Sequence, residues 1–285
     1  MRTIVHLSDL HFGRLDARLV PPLLAAIRDL SPALLAISGD LTQRARRKQF
    51  AEARDFLRAL ECPCLVVPGN HDVPLYDVAR RFLRPLARYK AFITDDLEPV
   101  HVDDEMVVMG LNSARSLSFG RGRLNAAQIG RAAERLRGVD PRLIKIIVTH
   151  HPFDLPDAYG DEHLVGSAAA AMAQFAEVGA DLFLAGHLHV SHIGHTAERY
   201  KIAGHSALVV QAGTISARLR GEPNSFNVLR VNRPDITITR HIWADATQEF
   251  AAGPARSFRH SDDGWIEARR RGRPVAFHPR CSASR

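Results

Sequence analysis

Short apolar runs recur along the first 216 residues: Thr3–Leu7, Leu34–Ile37, Leu65–Val67, Met106–Leu111, Leu143–Val148, Asp181–Leu184 and Ala207–Gln211. Several are apolar throughout, the pattern of strands covered on both faces. Between some of them the spacing predicts helices. Arg44–Leu60 puts Ala45, Phe50, Ala53, Phe56, Leu57 and Leu60 largely on one face. Ala126–Leu136 follows Asn125, a suitable N-cap, and Ser167–Val178 follows Gly166. Pro21-Pro22 fits the first turn of a helix running to Leu30. After Gly213 the pattern becomes alternating, with Ser225–Val231 and Ile236–Trp243 reading as antiparallel strands. Strand–helix alternation argues for an α/β layered fold. With no internal repeat and no low-complexity linker before residue 250, residues 1–267 are expected to form one domain.

Composition narrows the class. The 285 residues are 46% hydrophobic and 24% charged, ordinary for a globular chain. Only 7% are aromatic, so no base-stacking platform is advertised. No apolar run approaches the roughly 18 to 20 residues of a membrane span. Met1-Arg2-Thr3-Ile4-Val5-His6 enters a strand-like run without a signal-peptide core. Cys62, Cys64 and Cys281 cannot all pair, and Cys62-Pro63-Cys64 is too tight for an easy disulfide. A reduced, cytoplasmic protein is expected. The net charge of +7 is concentrated at one end: residues 268–285 hold six arginines and no acid, and the remainder is near neutral. That stretch reads as a solvated, disordered tail. Its Arg271-Gly272-Arg273-Pro274 core is similar to an AT-hook, so nucleic acid is an alternative partner through the tail.

Candidate chemistry lies just past the strands. Five runs lead into Asp9-Leu10-His11, Gly39-Asp40, Gly69-Asn70-His71-Asp72, His150-His151-Pro152 and Gly186-His187-Leu188-His189. In an α/β sheet, ligands collect beyond the carboxyl ends of strands, so five strand ends would deliver these groups to one edge. Asp9 and His11, like His187 and His189, are two residues apart, and extended backbone would point each pair the same way. The glycines at 39, 69 and 186 permit sharp exits and close backbone approach. Mixed Asp, His and Asn donors suit divalent Mn, Fe, Zn or Co. The donors exceed what one ion with open positions can use, which points to two ions sharing a carboxylate.

This ordered set, spanning residues 9–189, resembles the motifs of the calcineurin-like metallophosphoesterase superfamily. The resemblance implies a four-layer α/β/β/α sandwich, two mixed sheets flanked by helices, with a binuclear metal centre. By that resemblance Asp9, His11, Asp40 and His189 hold one metal, and Asp40, Asn70, His150 and His187 the other, with Asp40 bridging. The family pattern His-x-Pro selects His150 over His151. Two such cations would lower the pKa of a bridging water, and the hydroxide would attack phosphorus in line with the leaving oxygen. His71 is expected to protonate that oxygen and, with Asn70, to contact substrate; Asp72 is expected to orient His71 or to cap a turn.

Gly39-Asp40-Leu41-Thr42-Gln43 lacks the tyrosine of purple acid phosphatases, and His71 replaces the arginine of the UDP-diacylglucosamine pyrophosphatases. Gly-Asn-His-Asp, followed by Asn224-Ser225-Phe226-Asn227, looks most like bacterial class III cyclic-nucleotide phosphodiesterases. A phosphodiesterase acting on a small or nucleotide-like diester is therefore expected. The alternatives are a nuclease, a phosphomonoesterase or pyrophosphatase of the superfamily, or a binding scaffold. Arg44, Arg46, Arg47 and Lys48 stand at a helix N-terminus, where cations oppose the dipole; an acidic ligand or pairing with Glu52 and Asp55 would explain them. Arg115, Arg121 and Arg123 are candidates to wall the cleft, and His192 and His195 candidates to touch substrate.

Overall fold

A computed structural model describes residues 1–268 apart from 119, 157, 201, 203, 204 and 263. Strands and helices alternate through two βα-rich halves. The first holds β1 (Arg2–Leu7), α1 (Val20–Leu30), β2 (Leu34–Ile37), α2 (Arg47–Arg58) and β3 (Cys64–Val66). Two short helices, α3 (Val78–Leu83) and α4 (Ala87–Phe92), lead into β4 (Val100–Val102) and β5 (Met106–Gly110). Next come α5 (Ala126–Arg137), β6 (Ile144–Val148), α6 (Ala168–Glu177), β7 (Leu182–Ala185), β8 (His192–His195), α7 (Thr196–Tyr200) and β9 (Leu208–Gln211). An antiparallel run closes the order: β10 (Ser225–Asn232), β11 (Asp235–Ala244), β12 (Glu249–Ser261) and β13 (Gly264–Glu267).

These strands make two mixed sheets. One has the order β13-β12-β11-β10-β1-β2-β3, and the other β4-β5-β6-β7-β9-β8. In each, the strands that carry the candidate ligands run parallel. Antiparallel β10 joins the first sheet beside β1. Antiparallel β4 and β8 flank the parallel strands of the second.

The all-apolar strands are explained by burial on both sides. Val5, Leu7, Leu35 and Ile37 pack with Leu23, Ile27, Phe50 and Phe56 of α1 and α2. Their neighbours Ile4, Leu34 and Ala36 face the other way, onto Val108, Ile146, Val148 and Leu184 of the second sheet. Val107, Ile147 and Phe183 then turn outward, onto Ala132, Leu136 and Phe175 of α5 and α6. The period-2 alternation of strand side chains thus separates three apolar layers, and the result is the expected α/β/β/α sandwich. Asn125 caps α5 in a reciprocal box with Gln128: its side chain accepts from Gln128 N at 2.9 Å, and the Gln128 side chain accepts from Asn125 N at 3.3 Å.

The long strand β12 contains Gly253 and Pro254, which strands usually exclude. They fall at a break in register, where Thr239 pairs with Ala255 but His241 pairs with Ala252. A bulge leaves backbone groups out of the ladder, so the missing proline N–H costs little there.

Ile146 is fully buried between the two sheets. Ile146→Ala should lower stability by about 2–5 kcal/mol in urea unfolding. A loss below about 1 kcal/mol would mean that the inter-sheet layer is not close-packed.

Candidate metal centre

The first candidate ligands lie just beyond the strands, where the backbone leaves extended geometry. Nine non-glycine residues among those described have positive φ, and five of them are candidate ligands: Asp9 (54°), His11 (46°), Asp40 (52°), His187 (77°) and His189 (62°). The Asp9/His11 and His187/His189 pairs therefore do not converge by the two-residue repeat of a strand. β1 ends at Leu7 and β7 at Ala185. Each pair is turned inward by left-handed residues, a conformation that Asp and His tolerate better than most.

Backbone hydrogen bonds hold these turns together. Asp9 N donates to Gly39 O at 3.1 Å, and His11 N to Asp40 O at 2.9 Å, so the loops after β1 and β2 run side by side. Gly186 N donates to His150 O at 3.1 Å, joining the loops after β7 and β6. Two glycines are required by contact. A Cβ on Gly69 would stand 2.3 Å from Asp40 N, and one on Gly186 would stand 1.7 Å from Ser8 Oγ.

The side chains form two groups. In the first, Asp9 Oδ1 is 3.2 Å from His189 Nε2 and 3.5 Å from His11 Nε2, and the two Nε2 atoms are 3.1 Å apart. In the second, Asn70 Oδ1 is 3.0 Å from His150 Nε2 and 3.1 Å from His187 Nδ1. Asp40 Oδ2 belongs to both, 3.6 Å from His11 Nε2 and 3.4 Å from His150 Nε2. Such spacings match the edges of a polyhedron whose centre is about 2.1 Å from each donor.

The donor chemistry fits cations as well. Asp9 Oδ2 accepts from Ser8 Oγ and His187 N, whereas buried Asp9 Oδ1 has no hydrogen-bond donor. His150 Nδ1 donates to Ser38 O at 2.8 Å and His189 Nδ1 to Arg218 O at 2.6 Å. Those bonds turn both Nε2 atoms inward, the outer support typical of metal-binding imidazoles.

Electrostatics agree. Burial opposes charge on Asp9, but His189, His11 and His150 hold its carboxyl well below the usual range. Burial likewise opposes charge on Asp40, and His150, His71 and His11 overcome it. Burial works against a charged His150, yet Asp40 raises that imidazole to about 9. His187 is pushed down to about 3 by burial, with His150 adding to the effect.

His71 stands beside this centre. Its ring lies 4.8 Å from that of His11, edge to face. His71 Nδ1 donates to Gln43 O at 2.9 Å, so Nε2 is the acceptor for Arg218 Nη1 at 3.0 Å. Asp72 does not set this orientation. Its carboxylate accepts from Leu41 N, Thr42 N, Thr42 Oγ1 and Gly69 N at 2.9–3.1 Å, binding the loop after β2 to the loop after β3. Burial pushes the Asp72 carboxyl up to about 7, helped by Asp40 and opposed by these donors. The residue is a clamp on the Asp40 loop, and Gln43 is what holds the His71 ring.

Several other sequence candidates stand elsewhere. Arg115 turns toward Asn112 O and Gln128, at the start of α5. His192 lies 3.5 Å from Asp154, and the His195 ring packs on Phe258. His151 Nδ1 is 2.8 Å from Ser113 Oγ, with its ring against those of His150 and His187. Arg218 was not foreseen: no motif marks Ala217-Arg218-Leu219, and a long loop brings it to the centre. The arginine-rich stretch from Arg269 onward lies outside the described residues.

Comparison with known proteins decides the family. The family model named calcineurin-like phosphoesterase matches residues 2–191. The chain belongs to this family. A probable cyclic nucleotide phosphodiesterase of Synechococcus sp. is 28% identical over 207 residues, 67% of this chain and 74% of that one. A probable glycerophosphodiester phosphodiesterase of Arcobacter nitrofigilis is 26% identical over 141 residues, 47% and 45% of the two chains. Among solved structures, a dimetal phosphatase of Danio rerio superposes with a TM-score of 0.62 at 13% identity, covering 83% of this chain and 95% of that one. A purple acid phosphatase of yellow lupin gives 0.66 at 10% identity, covering 90% and 53%. At such identities the superpositions speak for the fold. As a calcineurin-like phosphoesterase the chain is a phosphoric ester hydrolase, and the family implies divalent metal ions. Among the described residues, no helix is long and apolar enough to cross a membrane.

Removing the Asp72 carboxylate strands three N–H groups in a buried place, while the Thr42 hydroxyl keeps His71 O as acceptor at 3.2 Å. Asp72→Ala should cost this calcineurin-like phosphoesterase about 3 kcal/mol or more in urea unfolding. A loss under about 1 kcal/mol would show that other contacts hold the two loops.

Proposed function

We propose that this calcineurin-like phosphoesterase is a two-metal phosphodiesterase acting on a small or nucleotide-like phosphodiester. The observation that carries the reading is Asp40 Oδ2, placed within 3.6 Å of donors from both ligand groups. Asp9, His11, Asp40 and His189 are assigned to one divalent cation; Asp40, Asn70, His150 and His187 are assigned to the other. Manganese, iron or zinc suits this mixture of oxygen and nitrogen donors. Bound there, the pair supplies Lewis acidity toward phosphoryl oxygens and activates water near neutral pH.

The protein's own groups do the remaining work. Ser38 O and Arg218 O fix the tautomers of His150 and His189. Asn70 offers a neutral oxygen, which limits the negative charge that the cations must offset. His71 is assigned to the leaving oxygen. In the free site its pKa is lowered: burial disfavours the charged form, Asp40 and Gln43 O favour it, and His11 and Arg218 add to the opposition. A phosphodiester anion in the cleft would draw Arg218 off Nε2 and add negative charge that favours a proton there, while Gln43 O keeps Nδ1–H in place. The imidazolium then donates from Nε2 to the departing oxygen.

The test compares His71→Ala and Asn70→Ala on a nitrophenyl and an alkyl diester, with metal content measured alongside. His71→Ala should keep both metals. Its kcat should fall roughly 10²- to 10⁴-fold on the alkyl diester, whose leaving oxygen needs a proton, and far less on the nitrophenyl one. Asn70→Ala should lose metal whichever leaving group is used. Equal slowing of both diesters by His71→Ala would assign His71 to positioning the phosphoryl group instead.

A further inference from the structure

Next to the candidate centre is a cleft of about 460 Å³ whose walls carry Arg14, Arg44, Arg46 and Arg218, with Gln43 and Gln49 between them. Among the described residues no carboxylate lies within 4.0 Å of any of these four guanidinium groups. The acids expected to neutralise the cluster are engaged elsewhere: Glu52 faces Lys48 at 3.9 Å, and Asp55 holds Arg54 at 2.8 Å. Arg46 is also the N-cap of α2, and the first turn of that helix holds no acid. Four cations thus converge where the helix dipole is already positive. A folded protein leaves such repulsion in place when an anion relieves it.

The cleft is joined to the reacting region by its own walls. Arg218 Nη1 is 3.0 Å from His71 Nε2 and 3.4 Å from His11 Nε2. Arg44 Nη1 is 3.2 Å from His71 Nδ1 and donates to Gln43 O at 2.9 Å. The ring assigned to the leaving oxygen therefore stands between two of the four arginines. A group attached to the leaving side of the substrate would meet them.

We propose that this arginine cleft is a second anion site, which selects phosphodiesters bearing an additional phosphate close to the scissile one. The proposal rests on the phosphodiesterase reading and refines it. Guanidinium groups match phosphate oxygens in pairs, so the fit is to a small dianionic phosphate. A simple cyclic nucleotide or an uncharged glyceryl headgroup would leave the site unfilled.

The test pairs thymidine 5′-(methyl phosphate) with its 3′-phosphorylated counterpart, scored by release of the nucleoside as leaving group, at fixed salt and with manganese present. In a parallel arm, calorimetry compares binding of thymidine 3′,5′-bisphosphate and thymidine 5′-monophosphate. The wild-type chain should favour the 3′-phosphorylated member of each pair by about tenfold or more. Arg14→Ala/Arg46→Ala alters two exposed side chains, and most of that preference should disappear. Equal kcat/KM and equal binding within each pair, or an unchanged preference in the double variant, would overturn the proposal. Turnover of neither ester, with the binding preference intact, would count against the phosphodiesterase reading and leave the anion site standing. Tighter binding of a thymidine oligonucleotide than of the bisphosphate would assign the cleft to nucleic acid, and the small-molecule proposal would fall.

Discussion

Asp40 offers a single carboxylate oxygen to two groups of donors, and nearly everything around it serves to keep that oxygen in place. The residue lies just past a parallel strand in left-handed backbone. Its other oxygen accepts from His71 N at 2.8 Å, which fixes the plane of the carboxylate. The Asp72 clamp holds the following two residues, and Gly69 leaves no side chain where the Asp40 backbone passes. Loss of any of these supports would free the aspartate to rotate, and two ligand groups would become unrelated neighbours.

The same constraint explains why the backbone is strained where it is. Each left-handed non-glycine residue costs on the order of 1–3 kcal/mol, and five of them cluster at the candidate ligands. The surrounding structure offsets this through two packed sheets, whose strand ends leave the loops little freedom. Hydrogen bonds between adjacent loops then fix each turn. A rigid sandwich thus permits an edge that no isolated loop would hold, with charged groups buried and close together. The arginines on one side of that edge make the neighbouring cleft positive, as suits an anionic ester.

The sandwich was legible because its buried strands are apolar on both faces; the bounds of β2 coincide with the run Leu34–Ile37. Elements with little burial escaped notice. β4 reads Val-His-Val at a sheet edge, β8 reads His-Ile-Gly-His, and β12 is mostly exposed and contains Gly253 and Pro254. The short helices α3 and α4 are too brief for a period to stand out. The candidate ligands were legible as motifs after strands, although the geometry joining them was not: positive φ at Asp9, His11, His187 and His189 replaces the extended repeat that their spacing suggested. The roles of Gln43 and Asp72 depend on which loops lie side by side, and no local pattern encodes that. Arg218 reaches the centre from a loop almost 30 residues beyond His189, a relation that only the fold reveals.

The central claim is that Asp40 joins two cations. Anomalous scattering from crystals of the manganese-replete protein tests it most directly. The account predicts two peaks about 3.5–4 Å apart, one on each side of the Asp40 carboxylate oxygen. A single peak at full occupancy, or two peaks with Asp40 turned away from either, would contradict it.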